Sequence, residues 1–515
     1  MAVAVYKAMK YRCLAGKKIY RNGNWITLPD TAKMYLNGAW HDLAFSGPLN
    51  PVIVPAQTLT HENGAEPAAG TQWYITPSGR GNKDGSSWAN AAPGSAVYAV
   101  LLSCSSGDSV YFSEGDYATD RTLVLPSGVN LYGGFVSGNE VWATRNGFAH
   151  QSIFTGTGTF GWMDGAAAVS GQIVDGFVIS NYNSTITGNN AVLRNSIVTL
   201  GTASLRTAYN CVFVSAASTI YDAEKCNFFY ASCSVTHSAT CVHVVGTDSS
   251  RVPTYLYHAQ NSTVTYGCAS SIGGLDASIF VGEAHNCAAV NCRLQNGNHS
   301  VSLFNYDAYN CTAVNCEGAN IAILFCSTSE NCTAVNCTAF RIFSTAYNSV
   351  AVNCTRVSTS VAGEIFSSGV FCTAANCSNA SCFSQGAKNC IAWNNGSGFS
   401  SPASGIQKNT CAGSAYEPDL ALVLGTDNSI ARFIDTGYFP ARGVQDVGDC
   451  PDPILDPTGY AAYLAAFGDW HPAADSFLVG RGTADQNVTT DADGVTRPDP
   501  PTIGAYEPRP NNGGE

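Results

Sequence analysis

Between residues 286 and 395, apolar and small polar residues alternate over runs of only three or four positions, and asparagine closes most of the runs. Asn286-Cys-Ala-Ala-Val-Asn-Cys292 recurs as Asn310-Cys-Thr-Ala-Val-Asn-Cys316 and as Asn331-Cys-Thr-Ala-Val-Asn-Cys337. Weaker copies follow at Asn348–Cys354, Cys372–Cys377 and Asn389–Asn394. The second asparagine of each unit falls at Asn291, Asn315, Asn336, Asn353, Asn376 and Asn394, with gaps of 24, 21, 17, 23 and 18 residues. A period near twenty with uneven gaps predicts a solenoid with variable loops. Short alternating runs, with no ten-residue stripe of helical spacing between them, make it a solenoid of strands. Asparagine suits the corners, because it tolerates the left-handed region and its amide can stack on the next coil's amide. Echoes at Asn195-Ser-Ile-Val, Asn210-Cys-Val-Phe and Lys225-Cys-Asn-Phe-Phe predict that coiling begins well before residue 286. At about 4.8 Å per coil, roughly fourteen coils would form a rod on the order of 65 Å long.

The cysteines repeat in step with these units: Cys292, Cys316, Cys337, Cys354 and Cys377 each follow the second asparagine. A thiol is small and apolar enough to fill the thin interior of a coil, so the ladder predicts stacked free thiols. Zinc is the rival reading, because Cys-x4-Cys recurs four times, but zinc sites bring tighter spacing and histidine. Disulfides are the third reading of a chain with 21 cysteines. No metal and no cofactor are expected. Triplets such as Asn331-Cys-Thr333 read as products of the same ladder and not as glycan acceptors.

Ahead of the repeats, Val97, Val100, Leu101 and Cys104 have helical spacing, which predicts a short amphipathic cap over the first coil. Strands are expected at Ser109–Phe112, Thr122–Leu125 and Val129–Tyr132. The stretches Gly107–Tyr117, Val129–Phe135, Ser152–Gly156 and Ile173–Asn181, with the closing stretch Asp469–Glu507, resemble the right-handed parallel β-helix proteins of the pectate-lyase-like superfamily found in gut Bacteroidetes and their phages. The resemblance spans roughly residues 72–507 and implies an all-β, right-handed, single-stranded parallel β-helix. It implies little about reaction, since one fold carries many functions. Asp491, Asp493 and Arg497 in the closing stretch are expected to hold a turn by local hydrogen bonds, with ion binding as the alternative.

Residues 1–45 read differently. Ile19-Tyr-Arg-Asn-Gly-Asn-Trp25 is echoed by Met34-Tyr-Leu-Asn-Gly-Ala-Trp40, and each Asn-Gly between aromatics predicts a tight hairpin. Such hairpins resemble short modules at the front of phage structural proteins. The expected organisation is a hairpin module at 1–45, a Pro/Gly/Ala-rich linker at 46–71, the β-helix at 72–415 and a closing segment at 416–515.

Charge narrows the partners. Only 12% of residues are charged and the formal net charge is −12, which argues against nucleic acid. No apolar run reaches the eighteen residues of a membrane span. The first eighteen residues lack the apolar core of a secretory signal, which predicts a chain assembled in a cytoplasm. Together these readings predict a phage spike or fibre. Residues 1–45 would join other virion proteins, and the rod would engage host-surface polysaccharide, as a homotrimer. A polysaccharide depolymerase on the same scaffold, and a bacterial surface adhesin, are the alternatives.

Candidate contact residues are sparse. Eight charged residues occur between 286 and 395. Glu283 with His285, and Glu317 with Glu330, are candidates to share a face, alongside Asp307, Glu364 and Lys388. Tyr306, Tyr309, Phe340, Phe343 and Trp393 are candidates to stack on sugar or to pack between subunits. No catalytic residue is assigned.

Overall fold

The computed structural model describes four strands within residues 18–42 and then, with short breaks, residues 60–399, 411–412, 433–435 and 444–508. It divides into two units, residues 1–56 and 57–515. In the first, Lys18–Arg21 pairs antiparallel with Asn24–Thr27, and Lys33–Leu36 with Ala39–Asp42. Tyr20 faces Trp25 and Tyr35 faces Trp40 across the two hairpins.

The second unit is a right-handed parallel β-helix. One coil shows how the sequence makes it. Ile323–Glu330 forms a long first face, Thr333–Val335 a second and Thr338–Ala339 a third, after which Arg341–Tyr347 begins the next coil. Between the first two faces the chain turns at Asn331, and between the second and third at Asn336. Every corner asparagine from Asn286 to Asn394 holds φ between +45° and +55°. An ordinary L-residue pays roughly 1–2 kcal/mol there, and asparagine far less. Across the corners, side-chain amides run from coil to coil. Asn310 Nδ2 donates to Asn286 Oδ1 at 3.2 Å, and Asn336 Nδ2 to Asn315 Oδ1 at 3.1 Å.

The residue after each corner turns inward. Cys292, Cys316, Cys337, Cys354 and Cys377 are buried to 2% exposure or less. Each thiol donates to a carbonyl one coil away: Cys316 Sγ to Ala289 O at 3.4 Å, Cys337 Sγ to Ala313 O at 3.4 Å. Burial pushes the Cys316, Cys337 and Cys354 thiols well up from their ordinary range. Every cysteine whose side chain is described is a free thiol, and no metal-holding group of His, Cys, Asp and Glu occurs among the described residues. Inside the first face a ladder of rings runs through Phe280, Phe304, Phe325, Phe343, Phe366 and Phe383, with centroids 4.5–4.9 Å apart and planes within 13°. Phe343 is therefore core, fully buried, and not a surface ring.

At the N-terminal end the helix Val97–Ser103 buries Val97, Val100 and Leu101. The strands Ser109–Ser113 and Asn130–Phe135 form close to expectation. Residues 123–125 do not form a strand: Leu123 and Leu125 reach the core, and Pro126, with no N–H to donate, cannot continue a ladder.

Two straps lie along the coils. Residues 60–66, within the stretch expected as linker, are tied to the corner column by Asn195 and Asn210. Residues 444–508 run along the second face. The outward residues Val290, Val314, Val335, Val352, Ala375 and Trp393 pack there against Cys450, Phe467, Trp470, Leu478, Ile503 and Ala505. Trp393, 3% exposed, is thus sealed beneath the closing segment and has no ring face left for a sugar. No helix among the described residues is long and apolar enough to cross a membrane.

Candidate functional site

The outward side of the first face is covered by neither strap over its middle coils, and it carries most of the exposed chemistry. Register sets its composition. The residue just before each first corner stacks in one column: Arg194, Tyr209, Glu224, Thr240, Gln260, His285, Tyr309, Glu330, Tyr347, Val370 and Lys388. Strand alternation turns this column outward while Ala208, Ala284 and Ala308 beside it point inward.

Two stacks stand on this face. In the lower one, the Arg206 guanidinium lies 3.5 Å from the centre of the Tyr221 ring, and His237 stacks on Tyr221 at 4.4 Å and 8°. His237 Nδ1 meets Asp222 Oδ1 at 2.7 Å. In the upper one, His285 stacks on Tyr309 at 4.7 Å and 9°. His285 Nε2 lies 3.7 Å from Glu283, so this sequence-predicted pair does share a face. Asp307 Oδ1 accepts from Ser327 Oγ at 3.1 Å and from the Thr328 amide at 3.2 Å, which fixes its carboxylate. Partial burial, then Asp307, Glu283 and Glu330, raise the Tyr309 hydroxyl above its usual range. Three carboxylates thus surround one phenol. Tyr306 stands beside them, 57% exposed.

Glu317 and Glu330 do not come together. Glu317 belongs to the third-face column Arg293–Glu317–Thr338–Thr355, where Arg293 Nε donates to it at 2.8 Å. Glu330 sits on the first face between Tyr309 and Tyr347. The thirteen residues from Glu317 to Glu330 cross the third corner into the next coil's first face, so sequence distance was a poor guide to shared face. Glu364 pairs with Arg341 at 2.6 Å and Lys388 with Asp485 at 2.6 Å, which engages both in holding structure. Phe340 is half-buried beside the turn into the next first-face strand. The closing stretch is a local network: Asp491 Oδ1 accepts from the Asp493 and Val495 amides, and Arg497 donates to Glu507 Oε1, Asn348 Oδ1 and four carbonyls.

Sequence reading missed the lower stack, Arg206–Tyr221–His237, because the corners after Tyr221 and His237 lack asparagine. Lys225 and Cys241 stand there instead, at φ +52°. Alternation within Val212–Glu224 was the signal available.

No protein-family model matches this chain, and no curated protein does. Among solved structures, pectate lyase Pel9A aligns over 88% of this chain and 99% of its own, at 13% identity and a TM-score of 0.21. Tailspike protein 3 of bacteriophage CBA120 aligns over 66% and 61%, at 12% identity and 0.25. PfbA, a surface adhesin of Streptococcus pneumoniae, aligns over 62% and 88%, at 12% identity and 0.25. At these values the likenesses carry no functional argument, and the fold stands on the strand register itself.

Proposed function

We propose that this chain is a virion appendage, a spike or fibre, whose rod engages surface polysaccharide through the outward side of its first face. The observation that carries the reading is the open array of Tyr221, His237, His285, Tyr309 and Tyr347 with Asp222, Glu283, Asp307 and Glu330. Rings offer C–H contact and carboxylates accept sugar hydroxyls, and both recur at the coil spacing along a polymer's path. The rings stack on one another, so their edges and the flanking carboxylates face outward. That arrangement suits a chain lying across the face more than single sugars stacked on ring planes. Residues 1–45 serve as the attachment module to other virion proteins, and the weakly charged coils suit a homotrimer.

A second reading, a depolymerase, is favoured by one observation: Glu283 and Asp307 precede the paired residues Ala284 and Ala308, which sets two carboxylates on successive coils. Paired carboxylates are the requirement of glycoside hydrolysis. The test of the leading reading is immunogold labelling of purified particles, with binding of the full chain to host cells before and after their polysaccharide is stripped. Labelled particles and polysaccharide-dependent binding support it. Unlabelled particles, or binding unchanged by stripping, overturn it.

A further inference from the structure

The two straps use one device. At four places where an extended segment lies on a corner column, an asparagine side chain pairs with both backbone polar groups of one residue, as a neighbouring strand would; Asn210 and Asn348 each bond one strap carbonyl. Asn195 Nδ2 donates to the Glu62 carbonyl and Asn195 Oδ1 accepts from the Glu62 amide, both at 3.1 Å. Asn389 holds Thr483 in the same way at 2.7 and 2.9 Å, Asn291 holds Cys450 at 2.8 and 3.1 Å, and Asn336 holds Gln445 at 3.0 and 2.7 Å. The ladder bond to the next coil is kept as well: Asn336 Nδ2 donates to Asn315 Oδ1 and to Gln445 O together. A carboxamide has two donors and two acceptor lone pairs, so one side chain can serve ladder and strap at once.

The first corner column carries the N-terminal strap at Asn195 and Asn210 and the C-terminal strap at Asn348 and Asn389. Between them lie Asn261, Asn286, Asn310 and Asn331. Asn286 Nδ2 donates to Asn261 Oδ1 at 3.0 Å, and Asn310 Nδ2 to Asn286 Oδ1 at 3.2 Å. Asn261, Asn286 and Asn310 are exposed, and each amide so engaged keeps one N–H and one lone pair for a visitor. No described residue from either strap reaches them.

We propose that the corner column Asn261–Asn286–Asn310–Asn331 is a docking track for an extended polypeptide strand rich in basic residues. The flanks supply the charge rule. Each strap brings an acid to a base on or beside the corner column: Glu62 to Lys225 at 2.8 Å, Asp485 to Lys388 at 2.6 Å. Beside the uncovered corners the signs are reversed: Glu330 stands directly before Asn331, and Glu283 and Asp307 precede the paired Ala284 and Ala308 on the way into Asn286 and Asn310. A strand docked there by its backbone would place Lys or Arg against these carboxylates. The inference does not depend on the glycan reading.

The test uses the full chain and a labelled peptide of sequence 57–66 carrying Glu62→Lys, read by fluorescence anisotropy, with the unaltered peptide as comparison. The lysine peptide is expected to bind saturably and the unaltered one more weakly. Asn286→Gly/Asn310→Gly removes two amide clamps while glycine accepts the positive φ, so affinity should fall at least about tenfold. Glu330→Gln should weaken the lysine peptide and leave a Glu62→Gln peptide unchanged, a readout that damage to the coil would not give. Absence of saturable binding at millimolar peptide, or equal binding by the double glycine variant, overturns the proposal. So does an oligomer of N-acetylglucosamine that binds through Asn286 and Asn310 when the peptide does not, since the track would then serve acetamido groups of a glycan.

Discussion

Asn336 separates the two roles of a corner asparagine, and its replacement has a calculable effect. Its side chain, in a residue 1% exposed, makes four bonds: to Asn315 Oδ1 at 3.1 Å, to Gln445 O at 3.0 Å, a long one to the Tyr463 hydroxyl at 3.5 Å, and from the Gln445 amide at 2.7 Å. Each such bond contributes about 0.5–1.5 kcal/mol net. Asn336→Gly deletes them but keeps φ +55° accessible, so the strap should loosen by about 2–3 kcal/mol. Asn336→Ala deletes them and also places a Cβ in the left-handed region, adding about 1 kcal/mol. Hydrogen exchange at the Gln445 amide reads the strap directly. A loss of about 2 kcal/mol accelerates exchange by roughly 30-fold, and the alanine variant should exceed the glycine variant by about fivefold. Amides of Ser109–Ser113, at the other end of the coils, should not change. Unchanged exchange at Gln445 in the glycine variant would refute the clamp. Equal effects of glycine and alanine would refute the argument from φ.

Phe325 sits between Phe304 at 4.7 Å and Phe343 at 4.5 Å, so Phe325→Ala should cost about 3–5 kcal/mol and lower the melting temperature; a melt within error of the parent would contradict the ladder. Burial and then the Arg145 charge lower His61 from 6.5 to about 4, against a smaller raising effect of Asp175. The fold therefore favours neutral His61, its contribution is complete above pH 6.5, and it is lost as pH falls toward 4. Exchange at the Glu62 amide should accelerate across that window by an amount corresponding to about 3 kcal/mol at most, and a pH-independent opening equilibrium would refute it. Thiol labelling of the native chain should modify exposed Cys241 first and leave Cys316, Cys337 and Cys354 unmodified until unfolding; labelling of all at one rate would contradict the buried ladder.

The corners were legible because asparagine carries its own physics: one residue type both accepts positive φ and stacks its amide. Coils at Lys225, Cys241 and Phe371 hold the same conformation with other residues, with backbone bonds such as Lys225 N–H to Thr240 O at 2.9 Å, so their corners lacked the asparagine and were at best partly legible from the cysteine that follows. The phenylalanine ladder was hidden by its uneven spacing, since the third corner varies in length while the register of the strands does not. Trp393 looked available because sequence does not tell which outward column a distant segment will cover. Tyr309 and Glu330 lay within one face for a reason the repeat did express, both standing immediately before a corner asparagine.

The most direct test of the account is to incubate the full chain with purified host-surface polysaccharide and record binding and polymer length together, beside a His285→Ala/Tyr309→Ala variant. The account predicts saturable binding by the parent chain that the variant loses while keeping its melting temperature. Shortening of the polymer by the parent would add the hydrolytic reading, with Glu283 and Asp307 as the residues to replace next. Binding that the variant retains in full, or no binding by the parent, would contradict the assignment of this face to glycan.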